Sequence, residues 1–198
     1  MKVIPETDLC RSFIEGLQEA FEGERPNIHV TDLIYCLREA YFRRVSPKPL
    51  TEDQLSFFLD GSRRHEALQY LSGVECEKPV RGLGIVGTVD IFGNVPIEFK
   101  TTRGSGIPKH YLKQLGYYCV LSGSQSGILV IQRLNNRDNP PFEFYRIEYT
   151  RDELLEMAGE IVHRRTILEK ALKEGSPEGL PKSEESWKCS RCLWRDEC

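Results

Sequence analysis

The chain has 198 residues, 39% hydrophobic and 29% charged, with a net charge of −3, which suits one good-sized domain, or a domain with a small appendage. That balance excludes a strongly basic protein that holds nucleic acid by charge alone, so any DNA contact must come from local basic patches. No apolar run approaches the ~20 residues of a membrane span, the N-terminus lacks an apolar signal segment, and seven cysteines, an odd count, argue against a disulfide framework; the chain reads as cytoplasmic.

Residues 6–22 read as a helix, with Leu9, Phe13, Leu17 and Phe21 forming one apolar stripe and Cys10 beside it. Gly23 and Pro26 mark a connector. Thr31 suits an N-cap and Asp32 a first turn, so the spacing predicts a second helix of about a dozen residues carrying Cys36, Arg38 and Tyr41. It closes on Arg43 and Arg44, where cations favour the helix dipole and are available to phosphates. A capping box at Thr51 and Gln54 opens a third helix that ends near Gly73. Within it lie Gly61, Arg63, Arg64, His65 and Glu66; a lone histidine on such a helix is most often structural. Pro79-Val80-Arg81 suits a strand before the hairpin described next. Pro108 suits the first position of a helix that runs to Gly123, with a basic start at Lys109, His110 and Lys113 and with Gln114 and Tyr118 on one face. Taken alone, that face reads as solvated. Strands follow at 128–134 and 142–150, joined by a polar loop. Thr150 and Glu153 form a second capping box, opening a helix through Lys173 with Ile161, Leu168 and Leu172 as its apolar face. Residues 175–186 read as a linker or surface loop.

Residues 84–102, GIVGTVDIFGNVPIEFKTT, carry the chemistry. Two apolar runs joined at Gly93-Asn94 signal a β-hairpin. Glu98 and Lys100 share one face of the second strand. A two-residue turn would send Glu98 to the face opposite Asp90. A three-residue turn, Gly93-Asn94-Val95, pairs Asp90 with Glu98, and this is the expected one. Two carboxylates so close repel unless a cation lies between them, and hard oxygen ligands suit magnesium or manganese.

The tail, WKCSRCLWRDEC, places Cys189, Cys192 and Cys198 close together. Three cysteines at that spacing suggest a metal site short of one ligand. Zinc is one candidate, although zinc ligands usually come as two local pairs.

Taken in order, these features resemble a known family. They are Cys36-x-Arg38-x-x-Tyr41, Gly61-x-x-x-His65-Glu66, Asp90 with Glu98-x-Lys100, Gln114-x-x-x-Tyr118 and the cysteine tail. The chain is similar to the RecB-like exonucleases of the PD-(D/E)xK superfamily that carry an iron–sulfur cluster. Within them it looks like the compact CRISPR-associated exonucleases of the "Cas four" family. The resemblance spans Thr31 to Cys198, with Leu37 standing where the family usually has proline. It implies an α/β fold: a PD-(D/E)xK nuclease core, a central mixed sheet flanked by helices, at about 51–174. A small helical cluster-binding subdomain would come from about 1–50 plus 175–198, all within one RecB-like unit.

The resemblance also implies roles. His65, Asp90, Glu98 and the Phe99 backbone carbonyl would bind a manganese or magnesium ion. Lys100 would orient or activate the attacking water, and Gln114 and Tyr118 would position Lys100, the metal site or the strand. Cys36, Cys189, Cys192 and Cys198 would hold the cluster, of the 4Fe–4S or 2Fe–2S kind. The implied substrate is DNA, single-stranded or with overhangs, cut 5′→3′ for CRISPR spacer acquisition. The CRISPR integrase proteins are candidate partners, and a homo-oligomer stays open. Arg43, Arg44, Arg63, Arg64, Lys109 and Lys113 are the basic residues expected along the DNA path. Two alternatives are kept: a RecB-like nuclease of recombination or repair, and a non-catalytic DNA-binding scaffold with a structural metal cluster.

Overall fold

Five strands form one sheet in chain order: β1 (Cys76–Gly82), β2 (Ile85–Phe92), β3 (Pro96–Thr102), β4 (Ser126–Arg133) and β5 (Phe142–Glu148). The computed structural model describes residues 7–21, 26–72, 76–134, 142–183 and 186–198. β3 and β4 are parallel and the other neighbours antiparallel. A parallel pair cannot be joined by a tight turn, and here α5 (Lys109–Ser122) makes the crossover. The expected central mixed sheet is therefore present.

The β1–β2 turn puts Leu83 at φ 49° and Gly84 at φ 76°, the left-handed pair that a tight two-residue hairpin requires. A Cβ at 84 would lie 2.9 Å from the Arg165 guanidinium carbon, a contact that the long side chain can relieve by moving, so the positive φ is what calls for glycine. Arg165 donates to the Leu83 carbonyl at 2.5 Å and so pins the turn. In the next hairpin, Ile91 pairs with Ile97 and Phe92 with Pro96, which leaves Gly93-Asn94-Val95 as the three-residue turn that the sequence predicts. Pairing stops one residue short of Asp90 and Glu98. The first half of β2 is instead bordered by the segment before α2, whose Ile28 carbonyl accepts from Val86 N at 2.9 Å.

The remaining helices are α1 (Thr7–Phe21), α2 (Val30–Ile34), α3 (Leu37–Val45), α4 (Glu52–Ser72), α6 (Arg151–Glu174) and α7 (Ser186–Ser190). Both capping boxes form: Thr51 Oγ1 accepts from Gln54 N, and Thr150 Oγ1 from Glu153 N. The side chains of Leu9, Cys10, Phe13 and Phe21, the loop at 135–141 and the end of α4 at Gly73 lie outside the described residues.

The single helix expected from Thr31 is corrected. It is two helices, broken at Tyr35 and Cys36, and His29 rather than Thr31 is the N-cap. The break has a physical cause. Arg164 of α6 donates to the Leu33 carbonyl at 2.6 Å and the Tyr35 carbonyl at 2.7 Å, satisfying carbonyls that would otherwise bond further along a helix. Pro108 is likewise one residue earlier than expected, an N-cap rather than the first helical residue, which is within the usual scatter of helix ends.

One hydrophobic cluster joins Leu33 of α2, Leu37 and Tyr41 of α3, Val89 of β2, Tyr117 and Tyr118 of α5, Ile161 and Leu168 of α6, and Leu180 and Trp194 of the C-terminal segment. The segments expected to form the cluster-binding subdomain, within one unit, share this core with the sheet. A second cluster, Leu115, Leu129 and Ile131, seats α5 on β4.

Candidate active site

Glu98 and Lys100 alternate with Ile97 and Phe99 on β3, and α5 lies over that face. Glu98 is 2% exposed, and Gln114 and Tyr118 are 4% and 3% exposed, so the solvated reading of the Gln114–Tyr118 face is corrected. Gln114 Nε2 donates to Glu98 Oε1 at 2.8 Å and to Tyr118 Oη at 3.0 Å. Lys100 Nζ contacts the same carboxylate oxygen. Asp90 Oδ2 accepts from Phe99 N at 2.7 Å, so the Asp90 side chain bonds β3 where the strand ladder has ended. Tyr118 fits against β2 because residue 87 is glycine; a Cβ there would lie 2.7 Å from the Tyr118 ring and 2.9 Å from Val30.

The electrostatics follow from this geometry. Burial alone would lower the Lys100 pKa, but Glu98 outweighs it, with Tyr35 and Asp90 adding to the effect, and the ammonium is held well above its ordinary value. Lys100 is thus the cation that offsets the buried Glu98 carboxylate. Burial, then Glu98, pushes the Tyr118 phenol well above its usual range.

The residues expected as metal ligands are brought together in part. Asp90 and Glu98 supply hard oxygen donors that fit magnesium or manganese. The Arg64 and His65 side chains lie outside the described residues. Among the described residues no group of three or more His, Cys, Asp or Glu could hold a metal ion.

Cys36, Cys189, Cys192 and Cys198 are all half-buried free thiols. Burial raises the Cys192 pKa, and Cys36, Cys198 and Glu39 lie close enough to contribute. Cys36 is the N-cap of α3. Arg38 holds the tail beside it, donating to the Leu180 carbonyl at 2.9 Å and the Cys198 carbonyl at 3.0 Å. Trp194 Nε1 bonds the Ser46 carbonyl at 2.7 Å.

The basic residues expected along a DNA path divide. Arg44 is committed inward, to buried Asp32 at 2.6 Å and to the Ala40 and Asn27 carbonyls. Arg43 pairs with Glu39 at 2.6 Å, and Lys113 with Glu160. Arg63 and Lys109 are exposed.

Sequence reasoning missed three rings at the site. Lys100 Nζ lies 5.5 Å from the Tyr111 ring centroid, His110 packs edge-on against Tyr111 at 4.7 Å, and Tyr35 is tilted against His110 at 5.5 Å. Lys188 of the tail sits 3.9 Å over the Tyr35 ring. The one available signal was a His-Tyr pair directly after the Pro108 break; nothing local joins Tyr35 to it.

Fold and arrangement define a class, the mixed-sheet fold that exonucleases share. In particular, the chain is similar to the crystal structure of SSO0001, with TM-score 0.65 and 24% identity over 96% of each chain. It is similar to an alkaline exonuclease, LHK-Exo, from Laribacter hongkongensis, with TM-score 0.54 and 17% identity over 81% of this chain and 95% of that one. A phage-related exonuclease from Haemophilus somnus 129PT gives TM-score 0.53 and 12% identity over 77% of this chain and 98% of that one. No protein-family model and no curated protein matches the chain.

Proposed function

We propose that this protein is a divalent-metal-dependent DNA exonuclease acting at Asp90, Glu98 and Lys100. The observation that carries the reading is the buried Glu98 carboxylate gripped by Lys100 and Gln114 beside Asp90 at the parting of two strands. An isolated buried carboxylate is costly, and a protein that needed only packing would place an apolar residue there. The exonuclease folds among the neighbours support the same reading.

Asp90 and Glu98, with His65 and the Phe99 carbonyl, would hold a magnesium or manganese ion, which supplies charge neutralisation at the phosphate and an activated water. Gln114 fixes the Glu98 carboxylate through one bond and the Tyr118 hydroxyl through another. Lys100, which contacts the Glu98 carboxylate, would orient the attacking water or stabilise charge on the phosphate. The substrate would be single-stranded DNA or an overhang, cut 5′→3′, in CRISPR spacer acquisition alongside integrase proteins. Cys36, Cys189, Cys192 and Cys198 would bind an iron–sulfur cluster, although among the described residues no group of three or more His, Cys, Asp or Glu is placed to hold a metal ion. The same chemistry would also serve a RecB-like nuclease of recombination or repair outside CRISPR.

The test is cleavage of end-labelled single-stranded DNA with manganese by wild type and Lys100→Ala. A loss of about 100-fold or more is expected. Equal cleavage by both would move the chemistry elsewhere, and binding without cleavage by either would favour a non-catalytic scaffold.

A further inference from the structure

Three rings gather on one side of Lys100, and the hydrolysis just proposed uses none of them. Tyr111 lies beneath the ammonium at 5.5 Å, His110 meets Tyr111 edge-on at 4.7 Å, and Tyr35 is tilted against His110 at 5.5 Å. They come from distant parts of the chain, Tyr35 from the break between α2 and α3, the other two from the first turn of α5. Their contacts are tilted and edge-on rather than face to face, and each residue keeps part of its surface in solvent. Core aromatics of this fold, such as Tyr117, are fully buried by contrast. At the far end Lys188 lies 3.9 Å over Tyr35. A row of partly buried rings, Tyr35 and Tyr111 seated against the core, that keep some surface in solvent and are flanked by ammonium groups is the composition of a groove for single-stranded nucleic acid, where bases stack and cations follow the backbone.

We infer that Tyr35, His110 and Tyr111 form a stacking subsite for the unpaired nucleobase next to the phosphate at Lys100, with Lys188 on the adjoining phosphate. The inference rests on the nuclease reading for the place of the phosphate. It deepens that reading by naming how a single strand or splayed end would be held, because only there are base faces open to rings.

The test is equilibrium binding of a fluorescent eight-nucleotide thymidine strand to the wild-type chain in EDTA, where no turnover occurs. A single abasic residue is moved along the strand one position at a time. Affinity should fall about tenfold or more at one or two adjacent positions and little elsewhere, the scale of one lost base stack. Tyr35→Ala and Tyr111→Ala should flatten that profile while binding the fully abasic strand as wild type does; Tyr35→Phe and Tyr111→Phe should keep it. A flat profile in wild type, an unchanged profile in the alanine variants, or no binding of any strand overturns the subsite. Cleavage retained with a flat profile retires the subsite alone. A stepped profile with no cleavage under manganese retires the hydrolytic reading and leaves the subsite standing.

Discussion

Glu98 is a carboxylate almost without access to water, and Lys100 and Gln114 satisfy one of its oxygens. Removing the ammonium therefore does two things, taking away the cation proposed to act in hydrolysis and leaving a buried charge uncompensated, at a cost of about 3–5 kcal/mol. The cleavage assay of Lys100→Ala belongs beside a thermal melt for that reason. Because the Lys100 pKa is raised in the folded chain, its stabilising effect is complete below the ordinary lysine value of about 10.4 and is lost only as pH rises beyond it. Cys119 acts with the same sign from a lower pH. It is fully buried, and desolvation pushes its thiol up to about 12 from 9.0. The folded chain keeps that proton where the unfolded chain gives it up, so stability should fall as pH rises from about 9 towards 12. The same burial makes the thiol inert. Alkylation of the native protein at pH 8, read by mass spectrometry, should leave Cys119 unmodified while labelling half-buried Cys76; equal labelling would contradict the burial.

At the scale of elements, the break between α2 and α3 turns the chain so that Tyr35 reaches the site and Cys36 opens a new helix. Arg164 holds that break through two carbonyls. Arg164→Ala leaves both without their donor and should cost about 2–3 kcal/mol in urea unfolding. Arg164→Lys should not rescue it, since an ammonium lacks the fork that spans two acceptors. A loss below about 0.5 kcal/mol, the size of a surface change, would mean that the break is set locally. This junction also marks how far the sequence could be read. Asp90, Glu98, Lys100, Gln114 and Tyr118 lie in one contiguous stretch, and strand and helix periods carry them to a common place. The turn length followed from the need to set Asp90 opposite Glu98. The helix break was hidden because its cause lies 129 residues downstream of Tyr35. The aromatic wall was hidden for the same reason, as Tyr35 reaches His110 only after α2 has docked. Arg44 reads as a phosphate contact in sequence, and only the folded chain pairs it with buried Asp32.

Across the whole molecule, the C-terminal segment is fastened to the N-terminal helices. Arg38 reaches the carbonyls of Leu180 and Cys198, Trp194 bonds Ser46, Lys48 bonds Leu193 at 3.1 Å, and Lys48 pairs with Glu197. No helix among the described residues is long and apolar enough to cross a membrane. The grip of Arg38 spans 142 and 160 residues of sequence, and that span has a kinetic consequence. Closing so long a loop is entropically costly, while the β1–β2 and β2–β3 hairpins need only short ones. The hairpins should therefore be in place at the folding transition state and the tail should dock after it. Arg38→Ala should then speed unfolding in a stopped-flow denaturant series and leave the refolding rate nearly unchanged. A slowed refolding limb would place the union of the two ends of the chain before the barrier, with the sheet forming around it.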